Sequence, residues 1–307
     1  MKKPFAALLS AGIILSAVPS EASALDPLHT ESYDGVTYNF TVSGSNAELV
    51  SVSGAAGELT IPAELEGFSV TSVGEKAFFG NTAITSVKFP ETLESIGENA
   101  FTGCSALENV DMPDSVASLG KGCFLSCTSL KDLRLSSSLS AIPDECFLGC
   151  NTIAAADMPE NLRSVGERAF FNCPELKKIV LEAPGVTIGD EAFGYRYDLR
   201  SNSVTAVEGF FLCAKPSEGV LTYSETAGFP VVDIDTVPDG DADLNGTFSA
   251  ADATAVLREY ADLSAKLAPS FTAFQKKLSD LDKDGMLTSK DASLLLASYA
   301  DSQKKNA

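Results

Sequence analysis

Ser95-Ile96-Gly97-Glu98-Asn99-Ala100-Phe101-Thr102-Gly103-Cys104 is the stretch on which the fold turns, because its apolar positions return every 23 residues. Phe78, Phe101, Phe124, Phe147, Phe170 and Phe193 share that step, as do Cys104, Cys127, Cys150 and Cys173. Ile96, Leu119, Ile142, Val165 and Ile188 form another register, and Ile84, Leu107, Leu130, Ile153 and Leu176 a further one. Phe89, Met112, Leu135, Met158 and Leu181 keep the same period. One short coil cannot bury its apolar side chains alone, whereas stacked coils share a continuous core. The pattern is that of a solenoid. Ser86-Val87-Lys88-Phe89 alternates polar and apolar side chains, which is strand periodicity, so successive coils should align their strands in a parallel ladder. Pro90, Pro113 and Pro159 follow three of these strands and would end them, having no N–H to give. The Phe of each coil is expected to stack on its neighbours inside.

Ser95 to Cys104, repeated as Val165-Gly166-Glu167-Arg168-Ala169-Phe170-Phe171-Asn172-Cys173, resembles the BspA-like subclass of leucine-rich repeats. The resemblance covers roughly Asp34 to Asp235 and implies recognition of a protein or cell-surface ligand. The first coil carries five extra residues between Pro62 and Phe78 compared with Pro90 to Phe101. The stretch from Gly194 to Pro230 loses the period and has Tyr195, Tyr197, Phe210 and Phe211 instead. Terminal repeats need a polar outer face, so both regions read as caps. Outward strand positions Lys88, Asp111, Arg134, Asp157 and Val180 are a mixed set without a basic or aromatic stripe. A binding face and a plain spacer stay equally open.

The seven cysteines (Cys104, Cys123, Cys127, Cys146, Cys150, Cys173 and Cys213) sit mostly at two repeat registers. Adjacent strands at ~4.8 Å would permit disulfides. Buried free thiols are the favoured reading, since Cys packs as a small apolar group.

Past Pro238 the repeat is gone. Asp241-Ala-Asp243-Leu-Asn245-Gly246-Thr247-Phe248-Ser249-Ala250-Ala251-Asp252 fits a calcium loop, and Asp280-Leu-Asp282-Lys-Asp284-Gly285-Met286-Leu287-Thr288-Ser289-Lys290-Asp291 fits it again. Calcium takes six to eight hard oxygens, offered by such a loop at positions 1, 3, 5, 7, 9 and 12. The expected ligands of two Ca2+ ions are Asp241, Asp243, Asn245, Thr247, Ser249 and Asp252, then Asp280, Asp282, Asp284, Met286, Thr288 and Asp291. Thr247 and Met286 would give main-chain carbonyls, and Ser249 and Thr288 would act through water. Gly246 and Gly285 stand where the chain must turn sharply. Phe248 and Leu287 should tie the loops together. Carboxylates crowded this closely are costly without a cation, so the module should be loose without calcium.

Helices are expected over Ala253–Ala261 and Ala292–Ser302, with a short connecting helix over Ser270–Lys277, while loop one is entered from the extended Val231–Ile234. This tandem loop-helix arrangement from about Asp239 resembles a dockerin, and Ala255-Val256-Leu257-Arg258-Glu259-Tyr260-Ala261 looks like the ruminal type. That resemblance implies calcium-dependent binding to a scaffoldin cohesin in a cellulosome-type assembly. It implies partner contacts at Ala250, Ala251, Ser289 and Lys290, and less directly at Arg258 and Leu295. The two halves differ chemically, which argues against a symmetrical two-way mode.

Lys2 and Lys3, the apolar run Phe5 to Val18 and Ala22-Ser23-Ala24 read as a secretory signal peptide over 1–24. The expected organisation is thus a repeat domain with both caps over 25–236 and a small all-α calcium module over 237–307, secreted to the outside. A net charge of −20 disfavours nucleic acid and anionic lipid as partners. The single His, His29, was expected at the solvated surface, and its solitude removes most nucleophile-base and zinc arrangements. The reading is a non-catalytic assembly component. Its rivals are an adhesin with a purely structural calcium module and an enzyme with a site hidden in 194–230.

Overall fold

The computed structural model describes residues 27–154, 156–238, 240–265 and 271–305. The signal peptide expected over 1–24 lies outside them. The chain opens with an antiparallel meander, β1 (His29–Tyr33), β2 (Val36–Ser43) and β3 (Asn46–Ser53), and then β4 (Gly57–Thr60), β5 (Glu64–Leu65) and β6 (Phe68–Val73). The repeats follow as β7 (Ile84–Lys88), β8 (Ser95–Ile96), β9 (Asn109–Asp111), β10 (Ser118–Leu119), β11 (Asp132–Arg134), β12 (Ala141–Ile142), β13 (Ser164–Val165), β14 (Lys178–Leu181) and β15 (Thr187–Ile188). The irregular region forms the antiparallel hairpin β16 (Tyr195–Asp198) and β17 (Ser203–Ala206), then β18 (Phe211–Ala214), α1 (Glu218–Ala227) and β19 (Val231–Asp233). The tail holds α2 (Ala250–Ser264), α3 (Ala273–Ser279) and α4 (Ser289–Lys305).

Each coil places one strand in each of two parallel ladders. The expected ladder runs β4, β7, β9, β11, and resumes as β14, β18, β19. In the coil between them an isolated bridge joins Asp157 to Val180 of β14. The second ladder, through β6, β8, β10 and through β12, β13, β15, had not been expected. Apart from β6 its strands are two residues long, too short for alternation to reveal them.

Between the ladders the Phe side chains stack as expected. Neighbouring rings from Phe78 to Phe193 lie 4.6 to 5.6 Å apart and within 27° of parallel. The thiols of Cys104, Cys127, Cys150 and Cys173 each donate to a Phe carbonyl one coil away, at 3.3 Å. All seven cysteines are free and buried, as the packing reading held. The Gly of the Ile-Gly pair has its own cause: a Cβ on Gly120 would sit 2.3 Å from the Glu98 amide, and one on Gly166 2.4 Å from that of Asp144.

The caps close the core with aromatic side chains. At the C-terminal end the Tyr223 hydroxyl donates to the Phe193 carbonyl (2.6 Å) and accepts from its amide (2.8 Å), while Phe210 and Phe229 pack edge to face. His29 stands at the surface as expected, partly exposed, but it is held there: its ring stacks on Phe40 and its Nδ1 lies 2.8 Å from Glu66 Oε2.

Candidate metal centre

The two tail loops share most of their backbone-to-carboxylate hydrogen bonds at a shift of 39 residues. Asp241 accepts from the amides of Asn245 (3.1 Å) and Gly246 (2.7 Å), and Asp280 accepts from Asp284 (3.2 Å) and Gly285 (2.9 Å). Asn245 Oδ1 accepts from the Thr247 amide, as Asp284 does from that of Met286, both at 2.8 Å. Asp252 accepts from the amides of Asp243 (3.3 Å) and Ser249 (2.7 Å), and Asp291 from those of Asp282 (3.5 Å) and Thr288 (2.9 Å). Ser249 with Asp252 is also the capping box of α2. The end of the loop and the start of the helix are therefore one structure, so what organises the loop also nucleates the helix.

Carboxylate oxygens of Asp241, Asp243 and Asp252 lie within 4.8 Å of one another, and so do those of Asp280, Asp282 and Asp284. Asp241 and Asp252 are fully buried. Burial, with Asp252 beside it, pushes the Asp241 carboxyl up to about 6, against the amides of Gly246 and Asn245. Like charges at this spacing repel by on the order of 3 kcal/mol per pair at an effective dielectric near 20. This donor set suits a hard divalent cation: all oxygen, acidic and preformed by backbone donors. In loop two, Lys290 Nζ lies 2.5 Å from Asp282 Oδ2; the matching residue in loop one is Ala251.

The helices α2 and α4 pack on a small core of Ala242, Ala253, Val256, Phe271, Ala292 and Leu295, with Phe248 and Leu287 packed against it from either loop. Both helices begin earlier than the sequence suggests, because Ser249 and Thr288 of the loops accept from their first amides, and both also end later. Of the expected partner contacts, Ala250, Ala251, Arg258, Ser289 and Lys290 are exposed. Leu295 is not: it is fully buried, one turn after Ala292 on the inward face of α4. That expectation is corrected, since a core side chain offers a partner nothing. The apolar side chains that do face outwards are Leu257 and Tyr260 on α2 and Leu294 and Leu296 on α4. An i, i+3 pair of exposed apolar residues is the signal that would have found the first two.

Two grooves lie on the repeats. One of about 460 Å3 follows the strand face past Lys88, Asn109, Asp111 and Arg134. Arg134 is held there by Asp111 (2.5 Å) and Asp114 (3.2 Å). The other, about 870 Å3, lies at the C-terminal cap between Arg168, Glu191, Tyr195 and Glu218. Arg168 pairs with Glu191 there at 2.6 Å. Among the described residues neither groove is lined by a His or a Cys.

Residues 71–200 match the BspA type leucine rich repeat region in six copies, so this segment carries repeats of that type. The tail lies outside the match. Solved structures similar to the chain include a leucine rich repeat protein of T. pallidum, at 22% identity over 50% of this chain and 79% of that one, TM-score 0.46. A leucine rich cell surface protein from Faecalibacterium prausnitzii shares 20% identity over 64% of this chain and 66% of its own, TM-score 0.43. A leucine-rich repeat protein from Bacteroides capillosus shares 26% over 45% and 97%, TM-score 0.30. No curated protein matches the chain.

Proposed function

We propose that this chain is a non-catalytic extracellular recognition protein whose tail is a calcium-folded docking module of dockerin type. The observation that carries the reading is the duplicated loop, with the same amides serving the same carboxylates 39 residues apart. Calcium bound by Asp241, Asp243, Asn245, Thr247, Ser249 and Asp252, and by their counterparts, would offset the carboxylate repulsion and fix the N-termini of α2 and α4. Leu257, Tyr260, Leu294 and Leu296, rimmed by Arg258, Ser289 and Lys290, then offer an apolar and charged surface to a cohesin. The open part of the strand face would display Lys88, Asp111 and Arg134 to a protein or cell-surface ligand. No helix among the described residues is long and apolar enough to cross a membrane.

A second reading, an adhesin whose calcium module only stabilises it, draws support from the packing of the tail against the repeats. Calorimetry of the full chain with calcium, followed by titration of cohesin domains onto the loaded protein, separates the readings. Two ions and saturable cohesin binding are expected. Two ions with no cohesin bound would favour the adhesin, and no uptake of calcium would remove both.

A further inference from the structure

One row of outward side chains can be followed across the whole strand face. By pairing it runs Thr60, Lys88, Asp111 and Arg134, and, one repeat step further on, Asp157, Val180, Cys213 and Val232. The first five are polar and the last three apolar. Ile179, Leu181 and Leu212, the inward neighbours of that row, belong to the solenoid core. Val180, Cys213 and Ile234 do not: they form a separate buried cluster with Leu244, edged by Phe211, Val232, Phe274 and Leu278. Leu244 is position 4 of the first calcium loop, and Phe274 and Leu278 lie on α3. Lys178, on the same strand as Val180, holds its ammonium 5.4 Å from the centre of the Phe271 ring. The last strands of the solenoid are thus built as a seat, and the tail module fills it.

We infer that this seat couples calcium binding in loop one, and not in loop two, to docking of the module on the solenoid. The inference rests on the calcium reading above. Leu244 is fully buried in the seat, at a left-handed φ of 61°. Its counterpart, Lys283, holds the same conformation (φ 57°) but is exposed. Ligands Asp243 and Asn245 flank Leu244 directly, so the loop geometry that binds the ion also aims Leu244 at Val180, Cys213 and Ile234. Whatever favours one favours the other, by linkage. Loop two itself places no residue in the seat: its nearest seat residue, Leu278, belongs to α3 and precedes the loop, so loop two should feel docking far less. The seat also divides the strand face: the tail occupies its apolar end and leaves the charged end, around Lys88 and Arg134, open.

The test is calcium calorimetry on the full chain carrying Val180→Asp. This substitution restores at Val180 the residue found one coil earlier at Asp157, so the solenoid tolerates it by its own precedent. One of the two sites should weaken on the order of tenfold, within the usual range for coupled sites, while the other keeps its affinity. In an Asp282→Ala background, where loop two is disabled, the weakening should persist; in an Asp243→Ala background it should vanish. Leu244→Ala should reproduce it from the module side and Lys283→Ala should not. Unchanged affinities in both Val180→Asp and Leu244→Ala overturn the coupling, as does equal weakening of both sites. A wild-type chain that takes up no calcium overturns the calcium reading itself, a separate result.

Discussion

The solenoid and the tail reach a fold by opposite means. The solenoid buries rings and thiols on rings and thiols, and every coil supports the next. The tail has a core of six apolar residues, three of them alanines, and, beside it, fully buried Asp241, Asp252 and Asp291. Its apolar burial is too small to hold two clusters of carboxylates together unaided. On the calcium reading, one half is self-sufficient and the other waits for a counter-charge. The largest expected effect breaks the comparison at this point: a calcium chelator should remove the helical signal of α2 and α4 and open the tail to proteases, with the solenoid left intact. Far-ultraviolet circular dichroism and mapped proteolytic fragments measure it. Loss of the repeats at the same chelator concentration would show that the two halves are not independent in this sense.

Raising the pH should act on the other half. Burial pushes the Cys104 thiol up to about 11 and those of Cys173 and Cys213 to about 12, and it holds Cys127, Cys146 and Cys150 well above the usual range. A thiol whose folded pKa is raised contributes stability that is whole below the unfolded value near 9 and is lost as pH climbs through the folded one. Each such thiol costs on the order of 1 kcal/mol per pH unit in that window. Lys178, pushed down to about 8 by burial, has the opposite sign between about 8 and 10.5, but it is one group against six. The denaturant midpoint of the repeats, under reducing conditions, should therefore fall from pH 9 to 11. The tail contains no cysteine of its own, so in saturating calcium its midpoint should fall much less, only through Cys213 in the seat it packs on.

A smaller effect sharpens the contrast within one residue. Phe124 lies mid-ladder, 5.2 and 5.6 Å from its neighbouring rings, and is fully buried. Phe124→Ala should cost the solenoid about 3–5 kcal/mol, the usual toll of a cavity that size. Calcium affinity at both loops should stay where it was, because the site lies far along the stack from the seat. A calcium titration of the variant, beside its urea unfolding curve, reads both quantities.

The repeat and the loops were legible because each obeys a rule one residue wide. A ring returning at Phe78, Phe101 and Phe124 can only be a stack, and an Asp-x-Asp-x-Asn-Gly run can only satisfy its oxygens together. Features that depend on which surface meets which were harder to read. Val180 looked like one member of a mixed outward row; its apolar character makes sense only once Leu244 and Phe274 are seen above it. Leu295 sits between Leu294 and Leu296, and sequence alone cannot say which of three leucines a helix turns inward when Ala292 is the only neighbouring marker. The second ladder was missed because two-residue strands such as Ser95–Ile96 have no period to detect. The cap helix α1 has only Val220 and Tyr223 buried, too few apolar positions to announce itself.

The smallest expected effect separates the two loops from each other. Ala251 and Lys290 occupy the same position, yet Lys290 alone reaches back into its loop, with Nζ 2.5 Å from Asp282 Oδ2. Asp282 is one of the carboxylates proposed to hold the ion, and the lysine beside it holds its pKa down. The ion pair does for loop two, weakly and from an exposed side chain, what calcium would do strongly. On the calcium reading, an ion entering the loop would have to loosen that pair, a cost that loop one would not bear. Removing the lysine should therefore tighten binding at loop two, but only as far as an exposed pair is able, up to about fivefold. Lys290→Ala examined by calcium titration in an Asp243→Ala background, where loop two acts alone, isolates the effect. Raised salt should produce a similar change in the wild-type loop relative to the variant, since screening weakens the same pair. An affinity that falls on removing Lys290 would mean that the side chain supports the loop rather than competing for it, and the inequality between the loops would then have to come from the seat alone.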